Sequence, residues 1–451
     1  MTTAVSRRDT TVLWAIVLAA CVIRLFVSDG MKGHRYAVLG AGPPKSEVEC
    51  LKQGEINLGD SQQYELLGAS IRHGHYGWDD KPNTFRTPGY PLLIALVNDK
   101  LAPLLVAQAL LGALTVLFVG LTGQRLFEPR VGLVAAALTA LDVPAALYSG
   151  LVMSETLFAF CVLLATWLFV SGEWPAANRE QGRSHTKLLL AASGLALGFA
   201  ALVRPVALLA FVPFAAILAA RRHWRALALM LGLFVVLPGL WTARNYVRYR
   251  QLSLTSNGGY NLFYANAAAL VAEERGIAWD SARTLMARGF AAELPGDNPL
   301  VVAGRLSREA LRIIGHDPIR YSRLVLRRTV WVIAGVKADD LILRMRETHV
   351  SPAQGREVRQ RQYGVPGVRL AALALSGFEL LATLGMFLLA WVAVFLRPSR
   401  GTKVMLLVLA LYFILAASPF TDGRFRVPAM PFIYLTAASL FRRRAVARRG
   451  T

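Results

Sequence analysis

The side chains placed to do acid–base or phosphate chemistry gather in seven short polar clusters set between long apolar stretches. Asp60 opens the segment Asp60–His73, whose apolar residues recur at helical spacing. An aspartate there reads equally as a helix cap and as a general base for a hydroxyl at a membrane surface. Arg86 lies in Asn83–Pro91, beside two prolines and a glycine that fix the local backbone. Its guanidinium offers phosphoryl oxygens a planar fork of donors, or it simply snorkels at a membrane-entry turn. Glu155 follows Tyr148 and Met153 at a helix start, either as a partner of the helix dipole or as a working carboxylate at membrane depth. Arg204 before Pro205, Arg244 and Asn245 in Trp241–Tyr246, Asn266 at the end of Gly258–Asn266, and Arg424 in Asp422–Pro428 complete the set. Aromatics and arginines at such positions are also ordinary interface anchors.

These residues need elements to hold them, and the composition says what kind. The chain has 451 residues, 55% hydrophobic and only 17% charged, with mean hydropathy +0.44, too apolar for a soluble domain of this length. One helical crossing takes about 20 apolar residues. Candidate crossings fall at 11–28, 101–124, 131–147, 155–171, 188–203, 206–220, 226–241, 368–396, 404–418 and 428–441. With the basic N-terminus cytoplasmic, the short connections carrying Arg125 and Arg130, Lys187, Arg221, Arg222 and Arg225, then Lys403 and the Arg442–Arg444 tail all lie inside. Every polar cluster named above then lies outside. The stretch 324–336 is a rival span, but Arg327 and Arg328 interrupt it; it reads as an interfacial helix with Trp331 at headgroup depth.

The expected organisation is an all-α integral membrane bundle of about ten helices with amphipathic helices in two long outer loops. Residues 1–28 form the cytoplasmic N-terminus and first helix, 29–100 the first outer loop, and 101–241 the membrane core. Residues 242–367 form the second outer loop, 368–441 the last helices and 442–451 a basic cytoplasmic tail. No internal repeat is visible.

The net charge of +22 does not point to nucleic acid, because the basic residues punctuate apolar spans instead of forming one stacking surface. Anionic lipids and a phosphate-bearing substrate are the expected partners. Cys21 and Cys161 lie in apolar runs and Cys50 in a polar one, so no disulfide is expected. No phosphate-cradling glycine loop, nucleophile elbow or zinc-like spacing occurs, and the seven histidines are scattered, so neither cofactor nor metal is expected.

The ordered motifs DSxxYxxLxxxIxxG from Asp60, FRTPGYPLLIAL, YSGLVMSETLF, ALVRP, LWTARNY with GGYNLFYANA, and GRFRVPAMPF resemble bacterial family 39 glycosyltransferases. These are relatives of the dolichyl-phosphate-mannose protein mannosyltransferases and of the lipid A aminoarabinose transferases. The similarity runs over nearly the whole chain. It implies a GT-C architecture in the bacterial cytoplasmic (inner) membrane, an active site facing the periplasm or cell exterior, and a polyprenyl-phosphate-linked sugar donor. Transfer to an envelope acceptor (glycolipid, glycan or protein) would invert the anomeric centre. Asp60 matches the family's proposed base, Glu155 the acidic residue of the second outer loop, and Arg86 the residue that holds donor phosphate. Arg244 and Arg424 are further phosphate contacts, and Tyr64, Tyr90, Arg204, Asn245 and Asn266 are assigned to the substrate. The mannosyltransferases often carry Glu after the base; Ser61 stands there in this chain, a departure that bears on whether the acceptor is protein. The competing readings are a lipid-linked sugar flippase or transporter, which would place ionisable residues at mid-membrane, and an O-antigen ligase or polymerase.

Overall fold

The computed structural model describes residues 5–30, 60–78, 81–173, 183–291, 298–338, 340–342, 366–396, 400–417 and 420–442. Cys50, much of the first expected outer loop, residues 343–365 of the second and the tail beyond Arg442 lie outside them. In a bilayer each backbone N–H and C=O must be satisfied within the chain, so apolar runs become helices. Helices α1 (Arg7–Gly30), α4 (Leu101–Leu126), α7 (Glu155–Glu173), α8 (Arg183–Val203), α10 (Trp224–Tyr249) and α16 (Pro366–Phe395) contain six stretches long and apolar enough to cross. The chain is a multi-pass membrane protein. Helices α9 (Ala207–Ala220) and α17 (Arg400–Ala417), and the stretch Met430–Phe441 containing α18 (Met430–Ala438), are apolar but shorter.

Each expected crossing overlaps helix among the described residues, yet length and composition admit six spans, or seven if a bent pair counts as one. That pair is α5 (Pro129–Ala140) and α6 (Val143–Ser149), which meet at 58° inside the expected span 131–147. Asp142 accepts the Ala145 N–H at 2.8 Å and Pro144 occupies the first turn, so a new helix is capped where one continuous helix was expected. A second difference lies at the far end of α10. The apolar run ends near Trp241, but no breaker follows, and the helix continues to Tyr249 through Arg244 and Arg248.

The bundle packs through small residues. Gly194 and Gly198 on α8, four apart, face the backbone of α10; a Cβ would stand 2.3 Å from the Met230 carbonyl oxygen and 2.4 Å from that of Phe234. Helix α18 sits at the centre, with all nine of its residues buried.

The elements at one end of the bundle build the site. Helix α2 (Asp60–Arg72) is followed by a short antiparallel pairing of β1 (Gly77–Trp78) with β2 (Lys81–Pro82), then the turn 83–88 and α3 (Gly89–Leu96). The rigid turn expected through Pro91 is thus partly helix, with Gly89 already inside it. A Cβ at Gly89 would meet the backbone of Leu202 and Val203 at 2.7 Å, so glycine lets the turn press onto the end of α8. The later segment runs from α11 (Asn257–Asn261) through a π-helical turn (Leu262–Ala267) into α12 (Ala268–Arg275), then α13 (Trp279–Ala291), α14 (Pro299–His316) and α15 (Pro318–Ala334). Helix α15 contains most of the rival span 324–336; Asp317 caps it at Arg320 N, and Trp331 stays 62% exposed.

Candidate active site

Asp60, in the first turn of α2, meets two arginines that come from distant parts of the chain. Its Oδ1 lies 2.5 Å from Arg86 Nη2 and its Oδ2 3.1 Å from Arg424 Nη1. Arg86 is aimed by its neighbours: Nε donates to Gln63 Oε1 at 2.8 Å, the backbone N–H donates to Asn83 Oδ1 at 3.0 Å, and Tyr76 OH donates to its carbonyl at 3.0 Å. The guanidinium also lies 5.0 Å from the ring centroids of both Tyr64 and Phe85. Arg424 is held from behind, its N–H donating to Asp422 Oδ1 at 2.8 Å within a short 3₁₀ turn (Gly423–Arg426), while Lys337 Nζ pairs with the same oxygen at 2.9 Å.

Glu155 stands beside this trio at the start of α7 and is buried. Its Oε1 pairs with Arg204 Nη1 at 2.7 Å and lies 3.9 Å from Arg424 Nε. Among the described residues its Oε2 is buried without a hydrogen-bond partner, as are Arg424 Nε and the Thr156 hydroxyl. Unsatisfied buried polar atoms are uncommon and call for an explanation. Three guanidiniums therefore meet two carboxylates, leaving one positive charge in excess. Burial pushes the Asp60 carboxyl up, but the guanidiniums of Arg86 and Arg424 outweigh it and hold the carboxyl well below the usual carboxylate range. Both arginines are in turn raised despite their burial, Arg86 by Asp60 and Arg424 by Glu155 and Asp60.

A cavity of about 230 Å³ opens against Arg204, walled by Phe158, Val206, Phe413, Phe420 and Phe425. The cluster thus joins a basic centre to an aromatic, apolar wall, the surface an amphiphile with an anionic group would contact.

The other residues singled out from sequence lie at the edge of this cluster or outside it. Tyr64 is adjacent but buried, donating to Ser154 Oγ at 3.2 Å and packing edge-on against Tyr90 at 4.8 Å. Tyr90 is fully buried, its hydroxyl donating to Gln108 Oε1 at 2.6 Å, so it props the site from inside the bundle. Asn245 is also fully buried and donates to the Ser253 and Leu254 carbonyls, fastening the loop after α10. Asn266 bridges the Asn261 carbonyl and Tyr321 OH, joining the π-helical turn to α15. Arg244 lies across the 83–88 turn from Arg86, with Tyr76 between them. Conversely, Gln63 and Lys337 were not foreseen. The spacing does carry Gln63, three residues after Asp60 and so on the same helix face; nothing local marks Lys337. Among the described residues no group of three or more His, Cys, Asp or Glu gathers.

Residues 79–256 match the family model of the dolichyl-phosphate-mannose-protein mannosyltransferases, so that segment is similar to this family. The segment contains Arg86, Glu155, Arg204 and Arg244; Asp60 and Arg424 fold onto it from either side. No curated protein matches the chain. Among solved structures, the Archaeoglobus fulgidus oligosaccharyltransferase in its apo form overlaps 96% of this chain and 50% of its own, at 17% identity and TM-score 0.48. ArnT from Cupriavidus metallidurans bound to undecaprenyl phosphate overlaps 94% and 77%, at 15% identity and TM-score 0.42. The S. cerevisiae protein O-mannosyltransferase Pmt1-Pmt2 complex overlaps 59% and 36%, at 19% identity and TM-score 0.34. The chain spans about half the length of the archaeal structures it matches.

Proposed function

We propose that this chain is an inverting glycosyltransferase that moves a sugar from a polyprenyl-phosphate donor to an envelope acceptor at the outer face of the bacterial cytoplasmic membrane. The observation that carries the reading is one aspartate braced by two arginines beside a buried glutamate with an unsatisfied oxygen. The mannosyltransferase family match supports it. So does the charge pattern, with Arg125, Arg221, Arg222 and Lys403 at the loops opposite the site.

In this reading Arg86 and Arg424, aided by Arg204, take the donor phosphate, and the aromatic wall at Arg204 takes the first part of its lipid. An arginine cannot serve phosphate and Asp60 fully at once. Donor binding therefore draws the guanidiniums away from Asp60, lets burial raise its carboxyl, and leaves it a competent base. Asp60 then accepts the proton of the acceptor hydroxyl as that oxygen bonds to the anomeric carbon from the face opposite the phosphate. The bond from the anomeric carbon to the phosphate oxygen breaks with its electron pair on the lipid phosphate. The arginines stabilise the charge that develops there, where electrostatic catalysis has its largest effect. Glu155 Oε2 receives a hydroxyl of the sugar or acceptor and orients it.

The test is transfer from a synthetic polyprenyl-phosphate sugar by the purified full-length protein in vesicles. Asp60→Asn is expected to lower the rate by about 10³-fold, within the range of general-base losses, while inserting normally. Near wild-type transfer by that variant would remove Asp60 from the base role.

A further inference from the structure

Apart from the cavity at Arg204, a groove of about 700 Å³ lies on the other side of the 83–88 turn. One face of α10 forms its long wall: Leu237, Leu240, Trp241, Arg244 and Arg248 recur at helical spacing and all line it. Along that face the chemistry changes in order, from two leucines through a tryptophan to two arginines, over a rise of about 16 Å. Ile71, Pro88, Leu92 and Leu202 from α2, the turn, α3 and α8 complete the apolar part. Among the described residues no carboxylate lines the groove and no acid pairs with Arg244 or Arg248. Arg244 instead stacks over Trp241 at 4.6 Å and bonds Asn245 Oδ1 at 2.7 Å. The Trp241 indole N–H is buried with no acceptor among the described residues. An unfilled donor beside two cations that no described acid compensates, at the top of a leucine-lined slot, asks for an oxyanion carrying a hydrocarbon tail.

We infer that this groove is a binding site for an anionic glycerophospholipid, separate from the reaction centre, with its phosphate at Trp241, Arg244 and Arg248 and an acyl chain along Leu240 and Leu237. The polarity of the wall matches a lipid standing in the leaflet on the site side, headgroup level with the last turn of α10. The site does not depend on the glycosyltransferase reading: it is built on Arg244, which contacts neither Asp60 nor Glu155, and its probe is a lipid rather than a donor. It also accounts for why α10 stays helical beyond its apolar run, since Arg244 and Arg248 reach the groove only if the helical spacing continues.

Trp241 is a built-in reporter. The full-length protein is reconstituted into vesicles containing a fixed fraction of phosphatidylglycerol or phosphatidylcholine with dibrominated acyl chains, and the quenching lost in Trp241→Phe isolates the Trp241 signal. Phosphatidylglycerol is expected to be preferred by roughly fivefold per engaged arginine, the size of one basic residue's attraction to an anionic headgroup. The preference should fall partway in Arg248→Gln, whose side chain is exposed and whose loss leaves the fold intact, and vanish when Arg244→Gln is added. Equal quenching of Trp241 by the two lipids overturns the inference. So does a preference that survives both substitutions, or displacement of the brominated lipid by inorganic phosphate at equal headgroup concentration, which would mark a site for soluble anions.

Discussion

Arg424 and Arg426 stand two residues apart in one 3₁₀ turn and both reach a buried or half-buried carboxylate, and the coordination of those carboxylates separates chemistry from architecture. Arg426 pairs with Glu379 of α16 and donates to the Ile333 carbonyl at 2.7 Å. Glu379 is saturated: one oxygen takes Arg426, and the other accepts the backbone N–H groups of Lys337 and Ala338 at 2.8 Å each. That set ties α15, α16 and the 3₁₀ turn together and leaves its carboxylate no capacity for a ligand. Arg424 faces the opposite way, toward an Asp60 side chain still 28% exposed and a Glu155 with one empty oxygen. A pair whose carboxylate is saturated holds a fold, whereas one whose carboxylates are under-coordinated keeps capacity for a substrate.

The sharpest way to break this contrast is to remove each arginine in turn. Arg426→Met strands Glu379 and should cost about 3–5 kcal/mol, the usual penalty for an uncompensated buried charge, seen as a large fall in the unfolding temperature in detergent. Arg424→Met should leave unfolding nearly unchanged, because Asp60 keeps Arg86, yet lower transfer by about 10²-fold or more. Equal thermal losses would erase the distinction.

A smaller effect sharpens it through pH. The Asp60 carboxyl is depressed in the free protein, so the stabilisation it contributes is present above the ordinary carboxylate pKa of about 4 and is lost only as pH falls through the lower folded value. Once donor phosphate occupies the arginines, that depression should relax. The acid limb of kcat/KM, which reports the free protein, is expected about one to two units below the acid limb of kcat, which reports the donor complex. Coincident limbs would mean that the arginines never leave Asp60.

What could be read from the sequence divides along the same line. Hydropathy locates the helices because a span needs an unbroken apolar run, and helical spacing after Asp60 locates α2. The break at Asp142 was written in its Asp-Val-Pro order but was masked by the apolar run around it. The continuation of α10 to Tyr249 was hidden for the opposite reason, since hydropathy stops at the first charge while the backbone does not. The meeting of Asp60 with Arg424 spans 364 positions and depends on how α18 and the 3₁₀ turn pack, which no local pattern encodes. The same holds for Tyr90, Asn245 and Asn266: their types suit a substrate, but burial gave their polar atoms to Gln108, to the loop after α10 and to Tyr321.

The central claim is that donor phosphate and Asp60 compete for Arg86 and Arg424, and affinity for the sugar-free lipid phosphate tests it most directly. Binding of a polyprenyl phosphate to the full-length protein should tighten in Asp60→Asn by about tenfold, the effect of removing one competing charge at this range, even as transfer is lost. Weaker binding by Asp60→Asn than by the wild type would contradict the account.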